Sequence, residues 1–510
     1  MERAAPSPTL SGSTLVLAGL VLAVSNFMVV LDTTIANVSV PHIAGGLGIS
    51  SSEGTWVITS YAVAEAICVP LTGWLARRFG EVKVFIAGMI GFGLFSFLCG
   101  LAPSLGALIA FRVGQGLCGG PLMPISQTLL MRIFPKERHG MAMALWSMTT
   151  IVAPIFGPIL GGTISDNWGW NWIFFINVPI AIACSIAAVG LLRGAESKTQ
   201  KVPVDTVGLG LLVLAVGALQ IMLDLGRERD WFGSPFIVQL TIVAFIGFAF
   251  LIAWELFEGH PIVDLKVFRH RGFTVSVGAL VFTYGAFFAS LVIIPQWLQT
   301  SLGYTATWAG YATAWNGVAA VFMAPVAAIL SQRMDPRLLV SGGILWLAVT
   351  SLIRVFWWTS GSDFWTLAIP QLIQGAGMPF FFVPLTTLAL GAVDEDEVAS
   401  AAGLMNFLRT MSGAVATAVG VTMWENGGQS ARDSLTSTLN GTGSAMTTLQ
   451  AHGLGYEQSR QYISQLVDSQ ANAISTVNIF ELFAAVFVVA ATIIWLAPKP
   501  KHAVDAGAGH

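Results

Sequence analysis

Apolar stretches of about 20 residues recur along almost the whole chain, and each is long enough to cross a bilayer as a helix. They predict spanning helices near residues 15–40, 54–75, 83–101, 105–130, 141–164, 171–193, 206–224, 235–257, 273–297, 307–330, 337–358, 365–391, 399–424 and 475–497. The connections between them are short, with one exception. Glu425 to Asn472 is rich in Ser, Thr, Gly, Gln and Asn, and reads as a long polar loop outside the membrane. The first stretch is too long for a signal-peptide core and lacks a small-x-small cleavage site, so it reads as a retained first helix.

Composition agrees with that pattern and narrows the function. Of 510 residues, 55% are hydrophobic and 10% charged, with a mean hydropathy of +0.74. A soluble domain carries about 25% charged residues. The net charge is -3, and no basic run resembles a nucleic-acid footprint. Cys68, Cys99, Cys118 and Cys184 lie in apolar stretches with no CxxC spacing, which favours packing over disulfides or a metal site. The histidines are scattered, and the acidic run Asp394 to Glu397 has none near it in sequence. A membrane enzyme using metal or acid–base chemistry is therefore disfavoured against a secondary transporter, and no cofactor is expected.

The Lys and Arg bias sets an orientation. With the N-terminus in the cytoplasm, only Arg227, Arg229, Arg432 and Arg460 fall on the outside. Arg112, Arg354 and Arg409 fall within spans, and the rest of the 24 basic residues, Arg3, Lys499 and Lys501 included, fall on the inside. Both termini are then cytoplasmic, which requires an even number of spans. Fourteen spans fit two six-helix bundles plus an inserted pair. The expected division is a tail at 1–14, a bundle at 15–193, the inserted pair with its flanks at 194–272, a bundle at 273–497 that includes the loop 425–472, and a tail at 498–510.

An ionisable side chain in the bilayer core costs roughly 2.5–3.5 kcal/mol, so each such residue is a functional candidate. Asp32, Glu65, Arg112, Arg354, Arg409 and Glu481 make up this set; Asp224 and Glu255 lie near span ends, where they could reach headgroups. Burial disfavours the charged form of Asp32 and a nearby base restores it, so Asp32 and Arg112 form a candidate proton-coupling pair. Arg112 holds its own proton and acts by pairing. The alternative is a static pair that orders two helices. Glu65 is a candidate proton or cation site, or else a neutral acid bonded to a neighbouring helix. Arg409 is the strong positive centre of the second half, where it could attract anionic substrates or hold the cavity shut. Arg354 is expected to snorkel to the outer surface, and Glu481 to be structural.

Other signals are weaker. Pro154, Gly157, Pro158, Gly161 and Gly162 in APIFGPILGG combine helix bending with close helix approach. The turn GWLARRFGEVK, with Gly73, Arg77, Arg78 and Gly80, could latch two helices, or could simply anchor the inner side. Asn37, Gln115, Gln296, Gln371, Gln374, Phe381 and Asn406 supply amides and rings suited to amphipathic substrates.

These segments resemble the major facilitator superfamily, and within it the fourteen-span drug:proton antiporters. LDTTIANVSVP, with Asp32 and Asn37, looks like that group's first-helix motif. FRVGQG, with Arg112, Gln115 and Gly116, resembles the fourth-helix motif. PIFGPILGG resembles the antiporter motif, and WGWNWIFFINVPI, with Asn177, also fits the group. GWLARRFGEVK resembles the superfamily's loop motif, although Arg77 stands where that pattern carries Asp, so the familiar charge relay is not carried over. The resemblance implies an all-α major facilitator fold and proton-coupled multidrug efflux across a bacterial inner membrane. It also implies a tripartite assembly, with a periplasmic adaptor of the EmrA type and an outer-membrane channel of the TolC type. A proton-coupled metabolite exporter or symporter of the same fold is the alternative.

Overall fold

The computed structural model describes residues 12–438 and 442–498; the terminal tails, with Arg3, Lys499 and Lys501, lie outside them. Among the described residues all regular structure is helical. The N-terminal part comprises α1 (Gly12–Leu47), the single turn α2 (Ser51–Gly54), α3 (Trp56–Cys68), α4 (Thr72–Phe79), α5 (Glu81–Gly100), α6 (Leu105–Gly119), α7 (Leu122–Ile133), α8 (His139–Trp168), the single turn α9 (Trp172–Phe175) and α10 (Asn177–Leu191). Next come α11 (Thr206–Gly226) and α12 (Pro235–Phe257). The C-terminal part comprises α13 (Arg271–Ser301), α14 (Ala306–Arg333), α15 (Pro336–Trp357), α16 (Phe364–Gly391), α17 (Val398–Thr438), α18 (Thr442–Ala451) and α19 (Tyr456–Ile493).

Every expected span coincides with a helix or a pair of helices. Ten of the described helices are long and apolar enough to cross a membrane, or up to twelve if each bent pair counts as one span. Two expected spans fall short of that measure. Residues 105–130 divide into α6 and α7 around Pro121, which lacks the N–H a continuous helix needs. Residues 399–424 fall in α17, whose polar side chains lower its apolarity. These segments carry Arg112 and Arg409, both buried by protein.

The 54–75 expectation is also bent, by 58° between Trp56–Cys68 and Thr72–Phe79, with Pro70 in the break. The region 425–472 is corrected more substantially. It is not a loop: α17 continues to Thr438, α18 follows, and α19 begins at Tyr456. The segment contains no proline, and Arg432 clasps the two long helices through Asp468 at 2.9 Å. Polarity marks it as outside the membrane but does not forbid a helix.

α1 packs on α8 and α10, and α3 and α5 pack on α6, which makes one bundle. α13 packs on α17 and α19, while α14 and α15 pack on α16, which makes a second. α8 meets α14 and α16, and α7 and α4 meet α17, so the bundles face each other through these helices. α11 and α12 pack mainly on each other, and α11 touches α3 and α17.

Glycines permit the closest crossings. A Cβ at Gly157 would strike Thr34, and one at Gly161 would lie 3.1 Å from the Ile35 carbonyl oxygen, so this pair seats α8 on α1. Gly162 faces no atom within 4 Å and takes no part in that contact. α8 bends by 50° between Lys136–Pro154 and Ile159–Trp168, the stretch that holds the prolines; the Pro158 side chain lies outside the described set. Between α14 and α16, a Cβ at Gly375 would land on the Asn316 backbone. Gly375→Ala is therefore expected to destabilise the protein by about 1–3 kcal/mol, seen as a lower melting midpoint in detergent. An unchanged midpoint would show that this crossing is loose.

Candidate functional site

In the first bundle a buried polar cluster centres on Asp32 of α1. Arg112 Nη1 lies 2.7 Å from Asp32 Oδ2, and both side chains are shielded from solvent. Gln115, one helical turn beyond Arg112 on the same face, donates to Asp32 Oδ1 at 3.1 Å and accepts from Arg112 at 2.8 Å. Asn177, the first residue of α10, donates to Asp32 Oδ1 at 2.6 Å and to Ser96 Oγ at 3.1 Å. Arg112 Nε donates to the Val57 carbonyl at 3.1 Å, and its guanidinium stacks 4.2 Å from the Tyr61 ring centroid. Four helices therefore fix one carboxylate. A buried ion pair is tolerable only when its remaining hydrogen-bonding capacity is filled, and the two amides do this for Asp32. They would not balance its charge without Arg112.

Glu65 of α3 is half-buried, one turn from Tyr61, and lies within electrostatic reach of Arg112, Arg409 and Asp32. It links the first centre to a second around Arg409 of α17. Arg409 is 3% exposed. Its guanidinium lies 5.3, 5.2 and 5.9 Å from the rings of Trp146, Tyr284 and Phe382, which come from both bundles. Its Nη2 meets the Met123 sulfur, while Nε and Nη1 have no hydrogen-bond partner among the described residues. Asn406, one turn earlier on α17, donates to Gln127 Oε1 of α7 at 2.8 Å and so bridges the bundles. An aromatic box around a cation with two open donors is suited to an amphipathic anion.

The other expected residues are distributed differently. Asn37 lines a separate cavity of about 790 Å³ toward the ends of α1 and α11, together with Glu53, Trp56 and Arg229. Phe381 is fully buried against Gly343 of α15; its neighbour Phe382 is the ring that faces Arg409. Gln296 is half-buried in α13, with no side-chain hydrogen bond to either centre among the described residues. Gln371 and Gln374 accept from Arg354, which is 1% exposed and lies 5.4 and 5.0 Å from the rings of Trp358 and Phe480. Arg354 therefore does not snorkel, because two glutamine carbonyls and two rings hold it inside the bundle. Glu255 is 1% exposed and does not reach a headgroup either, being covered near Ile262 and Val263.

The Arg77–Arg78 turn is held by the flanks of α11 and α12. Arg77 pairs with Asp264 at 3.3 Å, and its carbonyl accepts from Gln200 N–H at 2.8 Å. Arg78 donates to the Val202 carbonyl, and Trp74 to the Pro203 carbonyl at 3.1 Å. Gly80, at φ 92°, holds a backbone conformation that a side chain would strain, beside the Glu196 carboxylate. Gly73 seats α4 on Ser400 of α17. Arg77→Ala is expected to cost about 0–1 kcal/mol, because the pair is partly exposed. A double-mutant cycle with Asp264→Ala would measure that coupling, and a value above about 2 kcal/mol would make the turn a dominant structural clasp.

The acidic run does acquire a histidine in three dimensions. His270 Nε2 lies 2.8 Å from Glu397 Oε2, and Arg269 Nη2 lies 3.1 Å from Asp394 and 2.9 Å from Glu397. The ligand atoms of His270, Asp394 and Glu397 lie within 4.8 Å of one another, but the Arg269 guanidinium already pairs with both acids.

Asn177, Tyr61, Ser96, Gln127, Trp146 and Tyr284 complete the two centres and were not singled out as site residues from sequence. Asn177 gave the clearest signal, as an amide inside an otherwise apolar stretch.

The Major Facilitator Superfamily profile matches residues 22–417. The chain belongs to the major facilitator superfamily. It is 45% identical over 504 residues, 98% of each chain, to the "Multidrug export protein EmrB" of Escherichia coli K12. It is 43% identical over 507 residues, 99% of each chain, to the "Fatty acid resistance protein FarB" of Neisseria gonorrhoeae. Its fold is similar to the structure of the superfamily's proton:xylose symporter XylE, with a TM-score of 0.59 over 96% of each chain at 14% identity. Both centres fall within the superfamily match, and the protein is an integral membrane transporter rather than an enzyme.

Proposed function

We propose that the protein is a proton-coupled multidrug efflux antiporter of the bacterial inner membrane. The observation that carries this reading is the sealed Asp32–Arg112 pair, whose carboxylate is held by Gln115 and Asn177. Protonation of Asp32 removes its attraction for Arg112 and frees α1 and α6 to move relative to each other. Glu65 passes that electrostatic change to Arg409. The loaded substrate lies in the aromatic box between the bundles, and the bundles rock about it.

Fourteen spans, both termini in the cytoplasm, and bundles at 15–193 and 273–497 with an inserted pair between them belong to the same reading. So do a periplasmic adaptor of the EmrA type and an outer-membrane channel of the TolC type. The helical hairpin formed by α17–α19 would project on the periplasmic side. One elementary charge is worth about 2.3 kcal/mol per 100 mV. At about 1.36 kcal/mol per decade, one proton per substrate holds a gradient of roughly 50-fold per 100 mV.

The names of the two relatives, multidrug export and fatty acid resistance, favour amphipathic substrates with an acidic group among them. Arg409→Gln is expected to raise the KM for an acidic amphipathic substrate by roughly tenfold or more, the worth of one charge-assisted hydrogen bond. The KM of a neutral substrate should move far less. Equal effects on both would remove Arg409 from substrate charge recognition. The function itself is tested with purified protein in liposomes under an imposed pH gradient. Drug movement against proton flow, collapsing with the gradient, is expected; transport indifferent to the gradient would refute antiport.

A further inference from the structure

The second bundle contains a buried cation that nothing in the proposed transport cycle uses. Arg354, on the last turn of α15, is 1% exposed and has no carboxylate partner among the described residues. Its Nη2 donates to Gln371 and Gln374 of α16. The Gln374 carbonyl also accepts from Asn316 Nδ2 at 3.1 Å. Both glutamine carbonyls are therefore committed, and both amide groups are left as donors.

An excess of donors follows. Arg354 Nε and Nη1, Gln371 Nε2 and Gln374 Nε2 are all buried without an acceptor among the described residues, against one unpartnered acceptor beside them, Asn316 Oδ1. Trp358 lies 5.4 Å from the Arg354 guanidinium, and Trp297 stacks on Trp358 at 5.2 Å. Turning either glutamine over would set an amide N–H against the guanidinium and lose a hydrogen bond, so rotamers alone do not supply the acceptors. A lone buried cation is strongly unfavourable, and so is each open donor. One small anion would correct both deficits.

We propose that Arg354, Gln371 and Gln374 form a binding site for a monovalent inorganic anion of halide size, chloride above all. The choice of a small ion follows from burial. Arg354 and Gln371 are 1% and Gln374 0% exposed, so the cluster is closed to solvent and leaves room only for a small ion. The ion is the counter-charge of Arg354 and ties α15 and α16 together. Arg112 needs no such ion, because Asp32 plays that part in the first bundle.

The test uses the full chain in detergent, with sodium chloride exchanged for sodium gluconate at constant ionic strength. The melting midpoint of the wild-type protein is expected to rise with chloride and saturate. Crystals grown in bromide are expected to show an anomalous peak among Arg354, Gln371 and Gln374. Arg354→Gln should abolish the halide response. If that variant does not fold, Gln371→Met keeps the size of the side chain and removes one donor, and should weaken the apparent halide affinity by roughly tenfold, the worth of a hydrogen bond to a charged group. A midpoint indifferent to halide, or water without an anomalous peak at this position, overturns the proposal. So does a response of equal strength in wild type and Gln371→Met.

Discussion

Asp32→Asn is expected to abolish transport driven by a pH gradient while substrate binding remains measurable. The substitution keeps the size of the side chain and one carbonyl oxygen, which can still accept from Asn177 or Gln115. It removes the group proposed to exchange the proton. Arg112 keeps the Val57 carbonyl, the Gln115 carbonyl and the Tyr61 ring, so the first bundle retains its main contacts. The measurement pairs gradient-driven efflux in liposomes with equilibrium drug binding in detergent. Full transport by the variant would remove Asp32 from the coupling mechanism. Loss of both binding and transport would make the residue structural.

The largest stability effect is expected from Arg112→Met. That change strands a carboxylate among two amides in a site closed to water. Breaking a buried pair on one side costs about 3–5 kcal/mol, whereas replacing both partners with well-packed apolar groups is often neutral or stabilising. The double variant Asp32→Leu/Arg112→Met should therefore recover most of the melting midpoint lost in the single one, and still fail to couple transport to protons. Recovery without coupling separates the two roles of the pair. A double variant as unstable as the single one would mean that the site tolerates no apolar filling, for instance because Asn177 and Gln115 are then left open.

The relation between sequence and structure differs between the two halves of the molecule. Helix positions were legible because lipid imposes a single pattern, about 20 apolar residues at a time. The Asp32–Arg112 pair was legible for the same reason, since charges are rare where they are costly. The partners that complete a site were not. Asn177 stands out only as an amide in an apolar stretch, Ser96 and Gln127 do not stand out, and the role of all three comes from which helices cross. Arg354 illustrates the opposite error. Its place near the end of a span predicted a side chain reaching for water, but Gln371, Gln374 and two aromatic rings enclose it. Position along a helix gives depth and leaves the facing direction undetermined. The segment 425–472 was misread because polarity reports the solvent around a segment, while helix formation also depends on the absence of proline and on partners such as Arg432 and Asp468.

Counting protons released when drug binds tests the central claim most directly. Purified protein in weakly buffered detergent solution, taken through a series of starting pH values, should release protons on adding a saturating drug. Asp32→Asn should bind the same drug and release none. If the variant releases as many protons as the wild-type protein, the exchanged proton resides elsewhere and the Asp32–Arg112 pair is a structural clasp.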